Sequence, residues 1–353
     1  MAIRFGLIGH GFMGHVHEKT LTSLPGAQLR AICDIAPEQL ADIPQGIDTY
    51  TDAAEMMKDK DIDVILIAAN NNQHRKLTEM AAKAGKHVLC EKPVALSLAD
   101  LDAMEQCCNE NGITFTVHQQ RRFDQDFRIA KKVFDTGTLG RMYTVKSMLY
   151  GFNGNMHDWH VYKDQGDGML YDWGVHLIDQ MLWMIPGKLV SVFADLRNVI
   201  NREVDDYFHI FLRFESGIVA QIELGTYYLS DAPGWFERHW FIGGDKGSMH
   251  CDGFHPEGAI VRTTQLLTNV AGHRTMTAAG PTRSFGPPPE GRIVTEPLPT
   301  VDTNQRMYFE NYLAALQGKE EFLVKIPEVR RVLRVMDAVR ESAATGRSVD
   351  FER

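Results

Sequence analysis

The sequence predicts an α/β protein in which a doubly wound parallel sheet precedes a second domain built on a largely antiparallel sheet. Three observations predict it. Short, continuous apolar runs alternate with helical patterns through residues 1–122, as expected for parallel strands covered on both faces. From residue 123 onward the runs lengthen and are separated by Gly- and Asp-rich turns, which suits antiparallel pairing. The chain has 353 residues, beyond the roughly 250–300 at which single cores stop growing.

The first strand is "IRFGLIG" (3–9), followed by a helical segment to residue 24. "AQLRAICD" (27–34) and "DVILIAA" (63–69) are the next strands, and "HRKLTEMAAKAG" (74–85) is helical. "KHVLC" (86–90), a helix over 97–112 and "ITFTVH" (113–118) complete the first domain. Ser97 with Asp100 three positions on is a helix start. One helix over 123–136 then leads into "GRMYTVKSMLYGF", "LVSVFADLRNVI", "DYFHIFLRF", "GIVAQIELGTYYL" and "GWFERHWFIGG". Residues 253–299, rich in Pro, Gly, Thr and Arg, read as an extended excursion with little regular structure, a lid or a subunit contact. The C-terminal part returns to helix, with Pro327 near the start and Gly346 past the end of the last one.

The composition is ordinary for a globular chain, 44% hydrophobic and 24% charged. A net charge of −9 argues against general affinity for nucleic acid or anionic membranes. No long apolar span and no secretion signal are evident, since the early apolar run ends in glycines. Cys33, Cys90, Cys107, Cys108 and Cys251 are odd in number and contain no C-x-x-C pair, which favours a reducing cytoplasm.

Four stretches carry chemistry. "GHGFMG" (Gly9, His10, Gly11, Phe12, Met13, Gly14) follows a strand and opens a helix, with Asp34 twenty residues beyond Gly14. That is a dinucleotide fingerprint: glycines permit the tight turn and close backbone approach, the helix N-terminus faces a pyrophosphate, and Asp34 accepts from the adenosine ribose. Asp34 would repel a 2′-phosphate and no basic residue closely follows it, so NAD is expected over NADP. "AANNNQH" ends the next strand, where Asn71 and His74 either meet the cofactor or form a turn and cap. "CEKP" ends the strand after, with Lys92 either poised on a reacting hydroxyl or solvated in a loop. "DWGVHLID" spaces Asp172, His176 and Asp179 on one helix face. A histidine beside a carboxylate can exchange the proton that alcohol oxidation requires, or His176 is a core histidine and Asp172 a cap. "HDWH" (His157, Asp158, Trp159, His160) has metal-like spacing but lacks a convincing further ligand set, so no metal is expected.

The order "GHGFMG", "NNNQH", "CEKP", "DWGVH" resembles the Gfo/Idh/MocA oxidoreductases, the glucose–fructose oxidoreductase and inositol dehydrogenase superfamily. The closing "VRRVLRVMDAVRESAATGRSVDF" is similar to that family's last helix, so the resemblance spans the chain. It implies a Rossmann domain (1–122), then a substrate-binding and oligomerisation domain (123–353) with a large, open-faced, mainly antiparallel sheet, its final helices packing back on the first. It implies a nicotinamide cofactor and a homodimer or homotetramer formed through the sheets. Lys92 resembles the family's active-site lysine, Glu91 a cofactor contact through its backbone or side chain, Asp172 and His176 the substrate-binding and acid/base pair, and Arg121 a residue near the substrate. Asn71 and His74 match a P-N-x-x-H turn, with Asn70 where Pro is typical. Asp167 falls inside what is commonly a triple-glycine turn.

The chemistry implied is hydride transfer between a carbinol carbon of a sugar, glycoside or cyclitol and the nicotinamide. His176, oriented by Asp172, takes the hydroxyl proton while Lys92 polarises the oxygen. Trp159, Tyr227, Tyr228 and Trp235 offer surfaces for a sugar or aglycone, or pack in the sheet. An enzyme whose bound NAD oxidises and re-reduces within one cycle, and a nucleotide-binding sensor without catalysis, are the alternatives. The presence of Lys92, Asp172 and His176 argues against the sensor.

Overall fold

A computed structural model of the chain describes residues 2–151, 156, 158–165, 168–229, 236–269, 271, 274–282 and 290–352. Two main sheets organise it. The first holds β1 (Ile3–Ile8), β2 (Ala27–Cys33), β3 (Asp48–Tyr50), β4 (Val64–Ile67), β5 (His87–Glu91) and β6 (Phe115–His118), in the order β3-β2-β1-β4-β5-β6. All neighbours are parallel, and this is the doubly wound dinucleotide order with its switch point between β1 and β4. Val64, Ile65, Leu66 and Ile67 are all buried, as strands covered on both faces must be. Helices α1 (Phe12–Ser23), α2 (Ala53–Met56), α3 (His74–Lys83) and α4 (Leu98–Glu110) supply the cover. The Ser97 side chain caps α4 by accepting from the Asp100 N–H at 3.1 Å.

The second domain begins with α5 (Gln125–Thr136) and β7 (Met142–Gly151), followed by α6 (Val175–Met184), β8 (Leu189–Arg197), β9 (Tyr207–Phe214) and β10 (Val219–Gly225). Then come β11 (Phe236–Gly244), β12 (Gly247–Asp252), β13 (Glu257–Thr263), β14 (Thr275–Thr277), β15 (Gly280–Thr282) and β16 (Ile293–Pro297). The chain closes with α7 (Arg306–Leu316), α8 (Ile326–Thr345) and β17 (Val349–Asp350). Nine strands form one sheet, β16-β13-β12-β11-β7-β10-β9-β8-β17, antiparallel except where β7 meets β10. In β9 the alternation is clean: Phe208, Ile210, Leu212 and Phe214 are buried, while Tyr207, His209, Phe211 and Arg213 face outward. The inner face packs against α5, α6 and α8, leaving the other open.

Residues 253–299 depart from the expectation of little regular structure. β13 pairs with both β12 and β16 and extends the large sheet, and β14 pairs with β15 in a small hairpin. Polar, Pro-flanked segments at a sheet edge hold together through main-chain pairing rather than through a buried apolar pattern.

No helix of the described residues is long and apolar enough to cross a membrane. All five cysteines are buried and unpaired.

Candidate active site

The glycine turn fits a dinucleotide. Gly9 has φ +91°, and a Cβ there would lie 2.5 Å from the Ala68 carbonyl oxygen; at Gly14 it would lie 2.3 Å from the Gly9 oxygen. Around Gly11 there is open space, with nothing within 4 Å of an added Cβ. No side chain caps α1 and its first turn carries no acid, so its N–H groups and helix dipole present themselves to an anion. Asp34 follows β2 and binds both sides of the crevice: it accepts the His10 N–H at 2.7 Å and the Ala36 N–H at 2.9 Å. Phe12 (84% exposed) and Ile35 (89% exposed) flank this mouth; Met13 is half-buried. Ile35, an apolar residue directly after Asp34, is a contact candidate that sequence reading passed over.

At the end of β4, Asn71 is buried and begins a 3-10 turn. Asn70 holds φ −60° and ψ 146°, the backbone that proline would impose, so the turn keeps its shape without one. His74 is fully buried, with Nδ1 3.0 Å from the Pro93 oxygen and Nε2 2.9 Å from the Ala69 oxygen. Its ring therefore ties the β4 turn to the β5 turn and does not project to a cofactor.

Lys92 and Asp172 come together. Lys92 Nζ donates to Asp172 Oδ1 at 2.8 Å and to the Asp172 backbone oxygen at 3.1 Å, with both side chains largely buried. Burial alone would push the Asp172 carboxyl up, but Lys92 and His160 bring it below its ordinary value. His160 Nε2 lies 3.6 Å from the same Oδ1. Asp172 sits in a π-turn, Leu170–Gly174, that runs directly into α6, and such turns cluster at functional sites.

His176 is not oriented by Asp172, contrary to the sequence reading. Its Nδ1 lies 2.8 Å from Gln119 Oε1. An amide oxygen can only accept, so Nδ1 carries the proton and Nε2 keeps its lone pair. Asp172 is taken by Lys92 instead. Burial, followed by the positive charges of Lys92 and Arg121, holds the imidazole well below its usual pKa. Asp179 leaves the group as well, pairing with Arg122 at 2.7 Å. The shared helix face is real, but it meets Lys92, Gln119 and Arg122 in turn.

Glu91 turns its side chain away from the crevice, into a buried cluster with His17 and His118. A side-chain contact to cofactor is therefore excluded in this conformation. Arg121 places its Cζ over the Trp173 ring, 4.0 Å from the centroid, and donates to Asp124 at 2.9 Å. Phe254, from the turn between β12 and β13, stands 6.4 Å from the Trp173 ring. Tyr228 packs with Tyr150 and Tyr207 around Glu223 on the open sheet face; Tyr227 is exposed. Asp158, Trp159 and His160 lie in a 3-10 turn. The side chains of Asp158 and Trp159, and His157, Asp167 and Trp235 entirely, lie outside the described residues. Sequence reading missed Gln119 and Trp173. A polar residue just past a buried strand end was the one signal for Gln119, and Trp173 stood inside the quoted motif.

Comparison with known proteins agrees with this construction. A family model described as an oxidoreductase family with NAD-binding Rossmann fold matches residues 3–119, and the GFO/IDH/MocA C-terminal domain matches residues 127–250. The structure resembles an NAD-binding protein from Listeria innocua, 34% identical, with TM-score 0.91 and 99% of each chain covered. A myo-inositol 2-dehydrogenase of Thermotoga maritima is 28% identical over 280 residues, covering 77% of this chain and 80% of that one. A 2,7-anhydro-N-acetylneuraminate hydratase of Mediterraneibacter gnavus is 26% identical over 259 residues, 71% of this chain and 67% of that one.

Proposed function

We propose, from the premise that the chain belongs to the Gfo/Idh/MocA oxidoreductase family through both of its domains, that it is a dehydrogenase acting on a secondary hydroxyl of a sugar, glycoside or cyclitol. The observation that carries this reading is the meeting of Lys92–Asp172 with a neutral His176 at the ends of β5 and β6. A nicotinamide cofactor, when bound, supplies the hydride acceptor or donor.

The chain's own residues then divide the remaining work. His176 Nε2 accepts the hydroxyl proton, since Gln119 occupies the Nδ1 side. Lys92 donates to the same oxygen and stabilises negative charge developing there. Asp172 holds and aims the Lys92 ammonium through their hydrogen bond. Arg121 and Trp173 wall the pocket, and each cation has its own carboxylate, Lys92 with Asp172 and Arg121 with Asp124. A neutral polyol suits that balanced charge better than a polyanion. The Asp34 carboxylate supports NAD over NADP, because a 2′-phosphate would be repelled. Oligomerisation through the open sheet face, as a homodimer or homotetramer, belongs to the same proposal; Tyr143 and Phe193 stand exposed.

A second reading keeps the cofactor bound and oxidises then reduces within one cycle. The hydratase relative favours it, since hydration involves no net redox change. Absorbance at the reduced-nicotinamide band, followed on purified protein with NAD and a panel of polyols, separates the two. Accumulating reduced cofactor supports the dehydrogenase; product without accumulation supports internal redox. In either case Lys92→Met should lower turnover by about 10²-fold or more while NAD affinity stays within about threefold. Unchanged turnover would remove Lys92 from the mechanism.

A further inference from the structure

Behind Lys92 lies a cluster that the chemistry above does not use. Glu91 is 4% exposed, His17 0% and His118 3%. His17 Nε2 donates to Glu91 Oε1 at 2.6 Å, and His118 Nδ1 donates to the same oxygen at 2.8 Å. The second carboxylate oxygen, Oε2, accepts the backbone N–H of Lys92 at 3.0 Å. Nitrogen–oxygen separations this short place shared protons, not a metal ion, between the groups; ligands around one ion stand further apart. Three donors converge on one carboxylate, which satisfies it only in its ionised form. Burial by itself would raise its pKa, yet His118 and His17 hold it well below the ordinary glutamate value.

The arrangement is costly. His17 Nδ1 and His118 Nε2 are buried with no hydrogen-bond partner among the described residues, and each such orphaned atom carries an uncompensated desolvation cost. A core of apolar residues would fill this space more stably. The cluster is also closed off: Phe309 packs on both imidazoles at 5.7 and 5.0 Å, and Tyr308 stands edge-on to His118 at 4.6 Å.

What the cluster joins gives it meaning. His17 belongs to α1, the helix whose N-terminus meets the cofactor. Glu91 is the residue before Lys92. His118 ends β6 and is followed by Gln119, which holds His176. We propose that Glu91 is a positioning residue of the catalytic site, its buried carboxylate locking the cofactor helix, Lys92 and the Gln119–His176 pair into one register. The proposal rests on the dehydrogenase reading for its catalytic meaning. Besides fixing distances, the buried anion acts on His176 through space, together with Lys92, Arg121 and His118; His74, Cys90, Tyr308 and His17 also feel its charge or touch it.

The test is Glu91→Gln, which keeps the shape, removes the charge and replaces one acceptor oxygen by a donor. On the polyol best used by the wild type, kcat should fall by about 10-fold or more, with the Kd for NAD changed by less than about threefold. The acid limb of kcat should move to lower pH, because losing a nearby anion makes the His176 imidazolium less stable. Titration of His176 by ¹⁵N-histidine NMR should show the same downward shift without any substrate. His17→Gln, which retains an N–H donor, should stay near wild type, whereas His17→Leu should lower kcat in step with Glu91→Gln. Circular dichroism establishes that each variant is folded. A folded Glu91→Gln with wild-type kcat, or with reduced kcat and unmoved His176 titration, overturns the proposal. If Glu91→Gln does not fold, the His17 pair decides: equal kcat in the Gln and Leu variants overturns it. Should no polyol be turned over even by wild type, the dehydrogenase reading fails instead, and the NMR titration still reports on the cluster.

Discussion

Gln119 illustrates how a single side chain sets the chemistry of its neighbour. Its amide oxygen accepts from His176 at 2.8 Å in a pocket where both residues are 2% exposed. Glutamate at this position keeps the shape and the acceptor but adds a negative charge beside the imidazole, which stabilises the imidazolium. Gln119→Glu should therefore move the acid limb of polyol oxidation to higher pH. In the wild type that limb should lie below about pH 6.5, the ordinary histidine value, because His176 is already depressed. A pH profile of kcat for both proteins checks this, and coincident limbs would show that His176 is not the base. Lys92 and Asp172 were legible in the sequence because charges at a buried strand's end and inside an apolar helix have few structural reasons to be there. Their partners were not legible. The i, i+4 spacing of Asp172 and His176 implied mutual contact, whereas each side chain reaches another element, Asp172 to Lys92 and His176 to Gln119.

At the level of elements, the glycine turn and its helix were the most readable part of the chain. A tight turn leaves the backbone no alternative residue at Gly9 or Gly14, and the strand before and carboxylate after it repeat the same message. Gly14→Ala should push the turn open, since the added Cβ would sit 2.3 Å from the Gly9 backbone oxygen and backbone yields less readily than a side-chain tip. The expected result is a loss of NAD affinity of about tenfold or more with the fold retained, measured by NADH fluorescence titration and circular dichroism. Unchanged affinity would mean that pyrophosphate recognition lies elsewhere. The outermost pair on one side of the large sheet, β13 and the edge strand β16, shows the opposite situation. Their burial pattern is mostly intermediate or exposed, so no apolar alternation marks them, and only the partner strand reveals them.

Across the whole molecule, the main strands of both sheets and most of their helices were legible because the apolar runs are short and continuous in the first domain and longer, with Gly- and Asp-rich turns between them, in the second; β3, α2 and the outer strands of the large sheet were not. What holds the domains together was not. Arg122 is 1% exposed and bridges Asp179 on α6 to Glu328 and the Leu323 carbonyl at the approach to α8, a contact spanning about two hundred positions that no local pattern encodes. Global stability carries a second, testable consequence of burial. His74, His118 and His176 are all held below the ordinary histidine pKa, chiefly by burial. In the unfolded chain each takes up a proton near pH 6.5, while the folded state resists protonation until a lower pH. Between those values the unfolded state binds more protons, so stability rises with pH and is lost as the pH falls. Glu91 does not counter the trend, because its carboxyl stays ionised in the folded state throughout that window. The melting temperature of the cofactor-free protein should therefore be level above about pH 7 and fall by about 5 °C or more on reaching pH 5. Thermal melts followed by circular dichroism across that range decide it. A melting temperature that stays flat or climbs as the pH falls would mean that these imidazoles take up protons in the fold as readily as in the unfolded chain, and with that the neutral His176 on which the proposed proton transfer depends would be lost.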